Sequence, residues 1–334
     1  AFSMTSHYDS LIADWLCGEE ELPELRVIGG QRHQELRYGE NPQQRAAFYA
    51  TDAASPFAGL GTVSGKPLSF NNLLDAGMVY DLLQEYPAEQ GTFAVIVKHQ
   101  NPCGAARGAT AAEAYRRAFA GDPQSAYGGI VGLNVPVDLE AATAIHEQFA
   151  EVVVAPDFSA EARALLTRKK NLRLLPLAMG YRGRFDLKTV PGGFLWQERD
   201  RAPFRVEDFL AKSERPLTAG ELADVTFGWP LVKFVKSNAI VLVRDGQLIG
   251  VGAGQMSRVD SVELALRKCL TTPAGAVLLS DAFFPFADSL ERAAAAGIRV
   301  VVEPGGSIRD PEVIEAARKS GLSLLFTGVR HFRH

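Results

Sequence analysis

Short, wholly apolar runs alternate with amphipathic stretches along this chain. Ala94-Val95-Ile96-Val97, Ile130-Val131-Gly132-Leu133, Val152-Val153-Val154-Ala155 and Ala276-Val277-Leu278-Leu279 are runs of strand length, the pattern of strands buried on both faces. Residues 46–49, 298–302 and 323–326 read as further strands. Between them, helical composition is expected at 73–85, 111–119, 138–149, 160–170, 259–269 and 288–296, so β and α alternate as in an α/β sheet. Residues 4–17 form an amphipathic pattern with Tyr8, Leu11, Ile12, Trp15 and Leu16 as its stripe, ended by Gly18 and Glu19-Glu20-Glu21. Asp245-Gly246 joins the β-rich runs 239–243 and 248–251, a hairpin signature. Residues 178–200, rich in Gly and polar groups, read as a linker or excursion between two halves.

The stretch from Ala94 to Gly104 focuses the chemistry. An apolar strand stops at Lys98-His99, then Asn101-Pro102-Cys103-Gly104 is expected to turn the chain into a helix. Open α/β sheets place ligands at such strand ends. Histidine exchanges protons near neutral pH and lysine supplies a positive donor. Neighbours in a regular strand point to opposite faces, so both reach one substrate only if the strand unwinds there. Residues 276–285 echo the stretch: buried strand, polar end, proline turn, helix. The echo predicts two copies of one α/β unit, packed as two lobes.

Composition narrows the classes. With 334 residues, 47% of them hydrophobic, the chain can build two cores, and a net charge of −4 argues against a general nucleic-acid binder. Cys17, Cys103 and Cys269 form no C-x-x-C pair, which suits a reducing compartment. No apolar run approaches the ~20 residues that span a bilayer. The expectation is a cytoplasmic protein with no membrane or nucleic-acid partner. Zinc deaminases need H-x-E and P-C-x-x-C. Here His99-Gln100-Asn101 lacks the glutamate and Pro102-Cys103-Gly104-Ala105-Ala106 lacks the second thiolate, so no zinc is expected.

Lys98-His99, Asn101-Pro102-Cys103-Gly104, Arg37-Tyr38, Lys236-Ser237-Asn238, Gly252-Ala253-Gly254-Gln255-Met256-Ser257-Arg258 and Ser280-Asp281-Ala282-Phe283-Phe284-Pro285 together resemble the formyltransferase half of bifunctional purine-biosynthesis proteins. The resemblance covers nearly the whole chain. It implies formyl transfer from 10-formyltetrahydrofolate, as co-substrate, to AICAR (aminoimidazole carboxamide ribotide). It also implies an α/β fold of two similar cytidine-deaminase-like α/β/α lobes, residues 23–195 and 196–334, after a linker helix at 1–22 that follows a cyclohydrolase domain not in this sequence. A homodimer with interfacial active sites is implied as well. The family's catalytic positions fall on Lys98, His99 and Asn238. Substrate contacts fall on Arg37, Tyr38, Gly128, Glu151, Arg258, Phe283, Phe284 and Arg330, and Asp281 lies where some members hold a monovalent cation, K+. Glu151 stands where the family carries Asp, so the carboxylate is kept and its reach changes. By default Phe283 and Phe284 read as core aromatics. Two rivals stand beside this reading: a nucleobase deaminase, disfavoured by the missing ligands, and a zinc-free nucleotide-binding lobe serving dimerisation.

Overall fold

The computed structural model describes residues 2–17, 22–60 and 64–334. Helix α1 (Phe2–Cys17) precedes an antiparallel ribbon of β1 (Gln31–Leu36) and β2 (Ala46–Ala50). α1 forms where expected, but its stripe is not covered: Tyr8, Leu11, Trp15 and Leu16 are exposed. The expected stop at residues 18–21 lies outside the described residues.

The elements then come in two rounds. The first is α2 (Phe70–Leu83), β3 (Thr92–Lys98), β4 (Asn101–Gly108), α3 (Ala111–Gly121), α4 (Pro123–Ala126), β5 (Ile130–Leu133), α5 (Leu139–Glu147), β6 (Val152–Ala155), α6 (Ala160–Leu166) and β7 (Arg173–Pro176). A ribbon of β8 (Phe185–Val190) and β9 (Gly193–Glu198), then β10 (Leu210–Ala211), lead to the second. That round is α7 (Ala219–Val232), β11 (Ile240–Arg244), β12 (Gln247–Gly252), α8 (Arg258–Lys268), β13 (Val277–Ser280), α9 (Asp288–Ala295), β14 (Val300–Glu303), α10 (Asp310–Lys319) and β15 (Ser323–Phe326).

Both rounds join one mixed 11-stranded sheet, ordered β10-β15-β14-β13-β11-β12-β4-β3-β5-β6-β7. Outward from the β12–β4 junction, each direction reads as an antiparallel hairpin, an antiparallel neighbour, then two parallel pairings, with β10 added antiparallel at one edge. Side chains alternate across the strands and divide the core. Val95, Val97, Val241, Val243 and Leu279 face α2 and α7 in one continuous cluster. Ala94, Ile96, Val131 and Val153 face α3, α5 and α6, while Ile240, Leu242, Leu278 and Val301 face α8, α9 and α10. The result is a three-layer α/β architecture.

Three expectations need correction. The chain does not pass from β3 through Asn101-Pro102 into a helix; it reverses at His99-Gln100 into β4, and the helix follows only at Ala111. Pro102 lies opposite Val97 beside a register shift between Ile96 and Val97, where a strand tolerates a residue without an N–H donor. The counterpart of residues 92–108 is therefore not the 276–285 stretch but the β11–β12 hairpin, and β13 corresponds to β5. Residues 178–200 contain the β8–β9 hairpin, turned by Pro191-Gly192 with Gly192 at φ 80°. α7 and α10 were not expected from the pattern. Among the described residues, no helix is long and apolar enough to cross a membrane.

Candidate active site

The β3–β4 hairpin pairs Lys98 with Asn101 and leaves His99 and Gln100 as a two-residue turn. Both have positive φ, 52° and 60°. Such turns match the twist of the strands they join, but each non-glycine residue in this region costs roughly 1–2 kcal/mol. Asp75, buried on α2, opposes that cost: it accepts from His99 N at 3.2 Å, Gln100 N at 2.8 Å and Gln100 Nε2 at 3.0 Å. The turn also answers the geometric objection to a strand, since His99 has left the pleat and its ring is exposed beside Lys98.

A cleft of about 340 Å³ opens here, lined by Lys98, His99, Asn101, Cys103, Asp122 and Lys268 among others. A larger hollow of about 1210 Å³ lies between α1 and the β8–β9 ribbon and includes neither Lys98 nor His99. Burial pushes the Cys103 thiol up to about 12, and it donates to Ile96 O at 3.4 Å. The thiol is half-buried at the cleft wall, and desolvation disfavours the thiolate that a metal ligand or nucleophile would need. Lys98 Nζ donates to Tyr127 O at 2.5 Å, next to Gly128. Gly128 has φ 72° and donates to Phe149 O at 2.8 Å, a conformation suited to glycine. Lys268, at the end of α8, reaches Asp122 Oδ2 and Ser125 Oγ, both at 2.8 Å, and so ties this loop to the second round.

Glu151 is joined to the same wall through its N–H, which donates to Gly129 O at 3.2 Å. Its carboxylate accepts from Asn72 Nδ2 at 2.8 Å and lies 3.9 Å from Arg173. Burial lowers the Arg173 pKa; Glu151 opposes this and the nearby Arg37 adds to it. Arg37 itself is exposed, with its guanidinium 4.6 Å over the Tyr38 ring. Contacts thus run from Lys98 past Gly128 to Glu151 and, by way of Arg173, to the neighbourhood of Arg37 and Tyr38 on one side of the candidate site; of these predicted residues only Lys98 and His99 line the cleft itself.

The other side is built on Asn238, which follows a cis Ser237–Asn238 peptide. Its Nδ2 donates to Gln255 O at 2.9 Å and Met256 O at 3.1 Å, while its Oδ1 accepts from Arg258 Nη2 at 2.7 Å. Arg258 is buried, and its Nη1 meets Asp281 Oδ1 at 2.5 Å and Ser280 Oγ at 2.8 Å. Asp281 is fully buried, and its second oxygen accepts from Ser237 Oγ. These groups form a closed network, so Arg258 fixes the Asn238 amide with a guanidinium already engaged. Phe283 is 39% exposed whereas Phe284 is fully buried, so only the first ring faces solvent. Arg330 is exposed, 4.3 Å over the Phe332 ring. Two contacts stitch the sides together: Lys236 N donates to Asn101 Oδ1 at 3.0 Å, and Arg333 Nη2 to Gln100 Oε1 at 3.4 Å. No bond within the described residues brings Arg37 to Arg330.

Sequence reasoning missed Asp75 and Glu303, and it gave no role to Asn101 and Ser237 although both stand in its motifs. The available signal for Asp75 was an acid set amid apolar helix residues, rarely buried without a partner. Glu303 is fully buried, with Oε2 accepting from Phe284 N at 2.5 Å and Oε1 without a partner. Burial raises its pKa from 4.5 to about 8. The folded chain therefore holds this proton while the unfolded chain loses it. Stability should fall by about 1.4 kcal/mol per pH unit across that interval and flatten above it. Glu303→Gln, neutral at every pH, should remove that component of the slope in urea titrations at pH 5 and pH 8. An unchanged slope would show that Glu303 is ionised in the fold.

Comparison with known proteins identifies the chain's relatives. The family model described as AICARFT/IMPCHase bienzyme matches residues 1–268. The bifunctional purine biosynthesis protein PurH of Cereibacter sphaeroides is 49% identical over 356 aligned positions, covering 100% of this chain and 66% of that protein. PurH of Desulfitobacterium hafniense is 47% identical, covering 100% and 67%, and PurH of Rhodospirillum rubrum 47%, covering 100% and 66%. This chain thus spans about two thirds of the length of these curated relatives. With most of its length matched, the chain belongs to the AICARFT/IMPCHase bienzyme family.

Proposed function

We propose that this chain carries the formyltransferase step of purine biosynthesis: the formyl group of 10-formyltetrahydrofolate passes to the 5-amino group of AICAR. The observation that carries the reading is the Lys98-His99 turn, held at the mouth of a cleft and joined through Asn101 to the Asn238 network. The AICAR amine is a weak nucleophile because its lone pair is delocalised into the ring and carboxamide. Attack on the formyl carbon needs a proton removed and an oxyanion stabilised. His99 takes the amine proton, directly or through the carboxamide. Lys98 stabilises the oxyanion or protonates the folate nitrogen as the carbon–nitrogen bond breaks. Asn238 and Arg258 orient the substrate; Arg37 and Arg330, free of ion pairs among the described residues, supply guanidinium forks for phosphate. Tyr38, Gly128, Glu151 and Phe283 border the same substrates, while Phe284 is fully buried and packs in the core.

Asp281 is paired with the buried Arg258 guanidinium and bonded to Ser237, so a K+ at this carboxylate would share it with a countercharge already in place. The wider reading is a cytoplasmic homodimer of paired cytidine-deaminase-like lobes, 23–195 and 196–334, with residues 1–22 linking to a cyclohydrolase domain. The matching strand order about the β12–β4 junction supports the paired lobes. Absorbance-monitored turnover with AICAR and 10-formyltetrahydrofolate tests the function. Tetrahydrofolate and formyl-AICAR should accumulate in equal amounts. Binding of both substrates without turnover would favour a nonenzymatic nucleotide-binding lobe instead.

A further inference from the structure

Asp75 takes no part in the chemistry proposed above, yet it is buried and all its bonds go to the turn that carries His99. Its Oδ2 accepts from His99 N, and its Oδ1 from both nitrogens of Gln100. The second round repeats the device. Asp224 Oδ2 accepts from Asp245 N at 2.9 Å and its Oδ1 from Gly246 N at 2.7 Å. Each acid is the sixth residue of a 14-residue helix opened by a capping box, Ser69 with Asn72 and Thr218 with Glu221. Each carboxylate spans the two left-handed residues of a two-residue hairpin turn.

The two turns differ in what they need. Asp245-Gly246 has the composition that adopts paired left-handed conformations unaided. His99-Gln100 does not, because neither residue is glycine and both side chains crowd the backbone at positive φ. A carboxylate accepting both successive N–H groups is what favours the left-handed pair over an extended continuation. We infer that Asp75 is a positioning residue: its carboxylate holds the His99-Gln100 turn left-handed and thereby aims His99 and Lys98 into the cleft. Asp224 makes the same bonds for a turn that has no such need, which makes it an internal control. The effect on turnover rests on the formyltransferase reading; the effect on His99 geometry does not.

The test compares Asp75→Asn with Asp224→Asn in the full chain. Asparagine keeps the shape but offers one acceptor oxygen and turns an NH2 group toward a backbone N–H. In D75N the His99 imidazole resonances should shift or broaden, and kcat should fall roughly 10–100-fold with KM within about threefold. In D224N the His99 resonances and kcat should match the parent even if Tm falls by a similar amount. Adding Gln100→Gly to D75N removes one left-handed penalty and should recover most of the lost kcat. Unmoved His99 resonances in D75N would overturn the inference. Equal loss of kcat in both asparagine variants, or no recovery with glycine at position 100, would overturn it too. Should the parent show no formyl transfer, the function reading fails and the His99 resonances alone still decide this one.

Discussion

Replacing His99 with alanine should lower the kcat of formyl transfer by roughly 10²–10⁴-fold while binding of AICAR and folate changes far less. The expectation follows from where the ring sits. His99 is exposed at the tip of the hairpin and lines the cleft. The hydrogen bonds of its residue all come from backbone atoms, N to Asp75 and O from Asn101 Nδ2 at 3.1 Å. Truncating the ring therefore breaks no structural bond and leaves the turn in place. A loss of rate with Tm and ligand affinity preserved is then attributable to the missing base. Single-turnover rates with both substrates saturating provide the measurement. Activity within a few-fold of the parent would remove His99 from the mechanism and shift attention to Lys98.

How legible this arrangement was depended on whether a residue's role is written in its neighbours along the chain. Buried strands such as Val152–Ala155 announce themselves because both faces are covered and every side chain is apolar. The β11–β12 hairpin was legible because Asp245-Gly246 is its own signal. Its counterpart was not: His99-Gln100 carries no turn signature, and Pro102 one residue into the returning strand reads as the end of a strand. The information that closes that turn lies 24 and 25 residues away, on Asp75. α7 escaped for a related reason. From Asp224 to Val232 almost every side chain is buried, so no polar face marks a helical period. Of the family's motif positions, Asn238, Arg258 and Asp281 do meet in the fold. What no motif displayed is that Arg258 is already engaged by Asn238, Asp281 and Ser280, and Asp281 by Ser237 as well, whereas Arg37 and Arg330 are exposed and without ion pairs among the described residues.

That closed network sets the second large expectation, on stability rather than rate. Arg258→Met should destabilise the chain by about 3–5 kcal/mol, because it leaves the Asp281 carboxylate buried without its countercharge. Asp281 is 0% exposed and would keep only the Ser237 hydroxyl as a side-chain partner. For 334 residues this corresponds to a fall in Tm of roughly 4–7 °C. Methionine is chosen because it replaces most of the arginine stem, so the loss reports charge and hydrogen bonding more than an empty volume. The double variant Arg258→Met with Asp281→Asn removes the stranded charge and should recover part of the deficit, a coupling that a double-mutant cycle in urea quantifies. Asn238 would lose the donor that fixes its Oδ1, so the double variant should regain stability without regaining turnover. A deficit under about 1 kcal/mol for Arg258→Met would mean that water reaches Asp281 in solution. A double variant no more stable than the single one would mean that the guanidinium, not the pairing, holds this corner of the fold together.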